Sequence, residues 1–223
     1  MEIDHCEFPD DVYLDVDNDV WLRISKESIR IGVTSLLSFL AGKLTSVKFR
    51  KANADGVVTS QQTIATVESG KYFGPVRTPV SGRIARFNIE LEREPGLINR
   101  SPYGGGWIAE FEVINQDQLS ALRKTQDAKE AIKSRIKELK IRCFKALPDD
   151  EMFSIGTECS TTLANLNQLL ERAALGTIVH LVTDDPTAEI EMIRWSDQTK
   201  NKVIETRRES NLYHFIVEKA HYV

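Results

Sequence analysis

The sequence predicts two folded units of different class joined by a helix. Residues 1–115 read as all-β, residues 116–150 as a basic helical connector, and residues 151–223 as an α/β two-layer sandwich in the order βαβαββ. Three observations lead there. Short runs in the first part alternate apolar and polar residues and are separated by turn pairs, the pattern of a barrel or sandwich. Neither Gly nor Pro occurs between Trp107 and Pro148, where the apolar spacing is helical. Beyond residue 151, strand and helix patterns alternate before a terminal hairpin.

The first unit opens its pattern with Ile29, Ile31 and Val33 alternating with Arg30, Gly32 and Thr34, a half-buried strand. Val47 with Phe49, Ala65 with Val67, and Trp107, Ala109, Phe111 and Val113 repeat it. Asp55-Gly56, Ser69-Gly70, Ser81-Gly82 and Gly104-Gly105-Gly106 supply the turns. One short helix is expected to interrupt, over Ser35–Ala41, with Gly42 as its C-terminal cap.

In the middle segment Ile132, Ile136, Leu139 and Cys143 fall on one helical stripe with Lys and Arg on the other faces. Pro148 is the expected stop. A solvated connector is the plain reading of this run; a docking surface for an acidic partner is the sharper one.

The last segment reads as a strand over Met152–Gly156, a helix over Thr161–Ala174 stopped by Gly176, and a buried strand over Thr177–Thr183. A second helix follows Asp184-Asp185-Pro186, with Thr187 as candidate cap. Lys202–Thr206 and Leu212–Lys219 form the hairpin about Ser210-Asn211.

Composition excludes several functions. The 223 residues are 41% apolar and 28% charged, enough for real cores, so wholesale disorder is excluded. A net charge of -4 argues against a dedicated nucleic-acid binder. No apolar run is long enough to cross a bilayer, and Met1-Glu2-Ile3-Asp4-His5 lacks the layout of a signal peptide. Cys6, Cys143 and Cys159 are odd in number and lack metal-type spacing, so neither a disulfide framework nor a zinc site is expected. A cytoplasmic protein is the expectation. The pair Asp184-Asp185 reads as a turn into a capped helix, not a metal site. His180 and His214 fall in strands and read as packed or half-exposed rather than catalytic; Trp107 and Trp195 read as core anchors. No triad spacing, phosphate loop or metal cluster points to an enzyme.

Read from its surroundings alone, Lys71 in Val67-Glu68-Ser69-Gly70-Lys71-Tyr72 is a solvated loop lysine between two strands. A wider pattern gives it another role. Trp21-Leu22-Arg23, Ile31-Gly32-Val33-Thr34, Glu68-Ser69-Gly70-Lys71, Pro79-Val80-Ser81-Gly82, Ile98-Asn99 with Pro102-Tyr103, and Gly105-Gly106-Trp107 occur in order. Over about residues 8–125 they resemble the glycine cleavage system H protein, a lipoyl carrier with an all-β barrel-sandwich hybrid fold. The resemblance implies lipoic acid in amide linkage on Lys71, with Gly82 at the family's spacing beyond it and Glu68 helping a lipoate ligase or related lipoylating enzyme recognise the hairpin. The attached arm carries the chemistry and the protein positions it. The sequence departs from the family at Asp19, usually His, and at Gly70, Tyr72 and Phe73 around the lysine.

Cys159 precedes the first helix of the last segment. Two readings stand side by side: a small buried core residue, or a thiolate favoured by the positive helix end. Gly176-Thr177 through Asp184-Asp185-Pro186, Ile193-Arg194-Trp195, and Phe215 to Lys219 look like the TusA family of sulfur carriers, over about residues 151–219. That resemblance places the family's persulfide-bearing cysteine on Cys159, with Gly156 matching the glycine three before it. The family's two prolines are absent from Cys159-Ser160-Thr161-Thr162. Together the two resemblances imply a non-enzymatic carrier in sulfur metabolism. It would pass sulfur between lipoyl-Lys71 and the Cys159 thiol, or to sulfur-transfer and heterodisulfide-reductase-like partners, by thiol–disulfide exchange. The alternatives are an aminomethyl carrier of glycine cleavage, and a scaffold whose second unit only binds a partner.

Overall fold

The structure is a computed structural model and describes residues 1–25, 28–50, 56–112, 117, 119 and 122–221. Asp55, Val113 and the expected 115/116 boundary lie outside the described residues. The chain divides into two compact units, Met1–Cys143 and Phe144–Val223.

The first unit is mostly β. Its strands are β1 (Glu2–Ile3), β2 (Cys6–Glu7), β3 (Tyr13–Asp15), β4 (Val20–Ile24) and β5 (Ser28–Val33), then α1 (Ser35–Ala41) and β6 (Leu44–Phe49). There follow β7 (Val57–Val58), β8 (Thr63–Ser69), β9 (Phe73–Arg77), β10 (Gly82–Phe87), α2 (Glu90–Arg93), α3 (Leu97–Arg100) and β11 (Trp107–Glu112). β12 (Arg123–Lys124) and α4 (Lys129–Leu139) complete the unit. Seven strands form one sheet in the order β12-β3-β4-β5-β11-β10-β7, and β6-β8-β9 form a second. All their pairings are antiparallel. Ile31, Ile108 and Phe111 of the large sheet share one buried core with Val47, Ala65, Val67 and Val76 of the small one. The expected alternation therefore has a direct cause: these positions face inward between two sheets.

Trp21 is fully buried, and its indole N–H donates to the Pro102 carbonyl at 3.0 Å. Gly32 lies beneath the ring, where a Cβ would come within 2.5 Å of it. That close approach and the indole bond tie Trp21, Gly32 and Pro102 together in this chain.

Several expectations are corrected. A disulfide joins Cys6 to Cys143 across a sequence separation of 137, which no local spacing signals. The basic helix is not a solvated connector: Ile132 and Ile136 are buried against Phe8, Leu14, Trp21 and Leu36 of the first unit. It ends at Leu139, where Lys140 turns left-handed and donates to the Ile136 and Lys137 carbonyls, well before Pro148. α2 and α3 are single turns that the sequence pattern did not reveal.

The second unit runs β13 (Asp150–Ser154), α5 (Cys159–Arg172), β14 (Ile178–Thr183), α6 (Ala188–Thr199), β15 (Lys202–Glu209) and β16 (Leu212–Glu218). Its sheet order is β13-β14-β16-β15, with β13 parallel to β14 and the other pairs antiparallel. Leu166 and Leu170 of α5 and Met192 and Trp195 of α6 pack on Val179, Leu181, Phe215 and Val217. No helix among the described residues is long and apolar enough to cross a membrane.

Candidate functional site

Lys71 stands at the tip of the β8–β9 hairpin, between Gly70 and Tyr72. The Ser69 backbone N–H donates to the Tyr72 carbonyl at 2.8 Å and closes the turn. The Ser69 hydroxyl then holds it from within. Its Oγ accepts from the Lys71 N–H at 3.2 Å and the Tyr72 N–H at 3.1 Å. It donates in turn to the Ala41 carbonyl at the end of α1, at 2.6 Å. A serine here therefore performs backbone work, in the manner of other short hydroxyl-bearing turn residues.

The hairpin rests on the end of α1. Gly42 caps that helix with φ 71°, a left-handed setting that glycine takes without steric cost. A Cβ on Gly42 would lie 2.9 Å from Lys71 Cε and 3.6 Å from Nζ. The bare Cα thus leaves the lysine stem its path over the helix end. Asn99 fixes the same loop from beneath. Its amide nitrogen donates to Ser38 Oγ and to the Gly42 carbonyl, both at 2.9 Å, and its oxygen accepts the Leu44 N–H at 2.9 Å. Asn99 therefore braces the lysine's platform.

Lys71 and Glu68 are both exposed. Glu68 lies opposite Phe73 on β9 and Ser46 on β6, on the solvent side of the small sheet. Phe73 is 71% exposed, beside the tip. An amine placed this way fits amide linkage to a carboxylic acid arm. The tip is open to an acylating enzyme, and the Gly42 gap accommodates the stem.

Asp19 is the residue whose environment the sequence did not reveal. It is 3% exposed, and Arg135 of α4 donates to its two carboxylate oxygens at 2.8 and 3.4 Å. Burial pushes its pKa above the usual carboxylate value, and Arg135 works against that shift. The Tyr72 phenol is pushed up by burial and then by the Asp19 charge, which places the buried carboxylate within electrostatic reach of the hairpin. The partner, 116 residues away in sequence, lay in a segment read as a connector.

Cys159 belongs to the second unit, as the first residue of α5, and its thiol is free and half-buried. Its backbone N–H donates to Asp185 Oδ2 at 2.9 Å. Asp185 Oδ1 accepts the Thr187 N–H at 2.8 Å and its hydroxyl at 2.7 Å, so Thr187 is held by the aspartate and makes no side-chain cap. Of the two readings of Cys159, the surroundings of the thiol oppose the stabilised thiolate. Burial, then the Asp185 and Glu191 charges, push the thiol's pKa up, and a hydrogen bond from Thr187 offsets only part. The carboxylate occupies the helix end that would otherwise favour the anion. Two buried histidines also meet in this unit, His180 Nε2 and His214 Nδ1 lying 3.0 Å apart.

Residues 12–135 match the family model for the glycine cleavage H-protein. The chain belongs to that family. It is 37% identical over 142 residues to the probable glycine cleavage system H protein 2 of Sulfolobus acidocaldarius, covering 62% of this chain and 94% of that protein. It is 31% identical over 140 residues to the glycine cleavage system H protein 2 of Aquifex aeolicus, covering 62% of this chain and 86% of that one. A crystal structure of the H protein from Mycobacterium marinum aligns over 60% of this chain and all of its own, at 21% identity and a TM-score of 0.46. The H-protein match thus spans the Lys71 hairpin, Asp19 and Arg135, and stops short of Cys159.

Proposed function

We propose that the chain is a carrier of lipoate on Lys71, serving as an aminomethyl carrier of the glycine cleavage type. The observation that carries the reading is the Lys71 amine on a braced, open hairpin tip above the Gly42 gap. The H-protein relatives support it and favour glycine cleavage over the sulfur-transfer role that the two resemblances together imply. Lipoate, when bound, would supply a disulfide whose S–S bond breaks as one sulfur takes the transferred group, leaving the other as a thiol.

The protein's own residues do the positioning. Ser69 holds the tip, Asn99 and Gly42 hold the platform beneath it, and Glu68 offers a carboxylate to the lipoylating enzyme. Acylating Nζ also removes the lysine's charge, so the tip becomes neutral as the arm is attached.

Peptide mass spectrometry of the chain from its native cells tests attachment, with a lipoyl adduct expected on the peptide bearing Lys71. Reconstitution with the other glycine cleavage components then tests the cargo. Glycine–bicarbonate exchange supported by this chain and lost in Lys71→Arg is the expected result. An unmodified Lys71 in native material overturns the reading.

A second reading keeps sulfur transfer, through heterodisulfide-reductase-like partners, and is motivated by the free Cys159 thiol and the TusA-like pattern around it. The raised thiol pKa weighs against ready persulfide formation. A labile sulfur on Cys159 in native protein would restore this reading; its absence leaves the second unit as a partner-binding module.

A further inference from the structure

Two loops meet at one end of the second unit's sheet. The first leaves β13 and enters α5; the second leaves β14 and enters α6. Because β13 and β14 are parallel, both loops emerge at the carboxyl ends of their strands. They are tied together: Asp184 Oδ1 accepts the Gly156 N–H at 2.8 Å, and Asp185 Oδ2 accepts the Cys159 N–H at 2.9 Å.

This end of the unit exposes large apolar side chains. Ile155 is 52% exposed in the first loop, and Ile190 and Ile193 are 60% and 65% exposed on α6. Ile190 lies one turn beyond Thr187, which Asp185 holds, and Ile193 one turn further. Apolar residues clustered on a rim of charge, rather than scattered singly, mark contact surfaces.

Along the two loops and the first turn of α6 the charge has one sign, with Arg194 of α6 and Arg208 of β15 as the bases beyond them. Residues 150–171 and 184–193 contain no Lys or Arg, yet Glu158, Asp184, Asp185, Glu189 and Glu191 crowd the two loops and the start of α6. Arg194 is the nearest base along α6, and it pairs with Glu191 at 2.7 Å. Asp184 and Asp185 each also accept a backbone N–H from the first loop. Nucleic acid and anionic lipid surfaces are repelled by such a face.

We infer that the face formed by Ile155, Ile190 and Ile193 among these carboxylates docks a protein partner that presents lysines or arginines around an apolar projection. Apolar contact at the centre with opposite charges at the rim is the usual division of labour in a protein interface. The inference stands apart from the lipoyl reading, since neither Lys71 nor its attached group takes part.

Cys159 serves as a reporter: Asp185 of the second loop holds its backbone N–H, and a partner seated on both loops is expected to screen its thiol. The test uses the full chain and two synthetic amphipathic helical peptides of equal leucine content, one bearing lysines and the other glutamates. Anisotropy gives their affinities, and the rate of Cys159 alkylation by iodoacetamide locates them. The lysine peptide is expected to bind and to slow alkylation at saturation, while the glutamate peptide does neither. Glu158→Lys with Glu189→Lys should abolish binding, and Ile190→Ala and Ile193→Ala should each weaken it roughly fivefold. All four positions are exposed, and circular dichroism confirms that each variant is folded. No binding of the lysine peptide, equal protection by both peptides, or binding that survives the charge reversal overturns the inference.

Discussion

Arg135 grips Asp19 through both carboxylate oxygens and also donates to the Asp17 carbonyl at 3.2 Å. Helix α4 is thereby tied to the turn that leads into β4. Breaking such a pair costs more than the pair is worth, because one charge stays buried alone. Arg135 is 22% exposed, which moderates the loss. Arg135→Ala is therefore expected to cost about 2 kcal/mol near neutral pH.

The pH dependence of that variant follows from the direction of the Asp19 shift. A carboxylate whose folded pKa is raised binds its proton in the native state before the unfolded chain does. Its contribution favours the fold at low pH and is lost as pH rises through the folded value. Removing Arg135 raises that value further, so the penalty should shrink on acidification toward about pH 4. Denaturant unfolding at the two pH values checks this; a penalty that grows in acid contradicts the assignment.

Gly42→Ala places a methyl group 2.9 Å from Lys71 Cε and forces a left-handed residue to carry a Cβ. A stability loss of about 1 kcal/mol is expected from the backbone alone. The lysine stem must also move, so in vitro lipoylation should slow several-fold. Lipoylation at the wild-type rate would show that the gap serves only the helix cap.

Cys159 should react with iodoacetamide at a midpoint pH above that of an ordinary thiol, since burial and two carboxylates oppose its ionisation. Asp185→Asn is expected to lower that midpoint and to quicken alkylation near neutral pH. An unchanged midpoint would assign the shift to burial and Glu191.

The Cys6–Cys143 bond predicts one titratable thiol in the unfolded, unreduced chain and three after reduction. Cys6→Ser should lower stability by about 2–4 kcal/mol, given the long loop that the bond closes. Equal stability of the oxidised and reduced chains would sink this expectation.

What the sequence revealed divides by range. The strands about Ile31, Val67 and Phe111 were legible because their alternation records a buried face, and Gly42 because a helix cap is a local device. The role proposed for Lys71 comes from a pattern of distant residues; its immediate neighbours read as a loop. Asp19 with Arg135 and Cys6 with Cys143 were not legible, since each pair joins elements more than a hundred residues apart. Cys159 was placed at a helix start, and the sequence left its chemistry open between a buried thiol and a thiolate. The helix end it occupies is already engaged by Asp185, a side chain from another loop.

The bond between residues 6 and 143 makes almost the whole first unit a closed ring of chain. A protease that nicks an exposed turn inside that ring leaves two fragments still fastened to one another. Such a molecule migrates as a single species until its sulfurs are reduced, so limited digestion read on a gel without reductant would pass a cut carrier as an intact one.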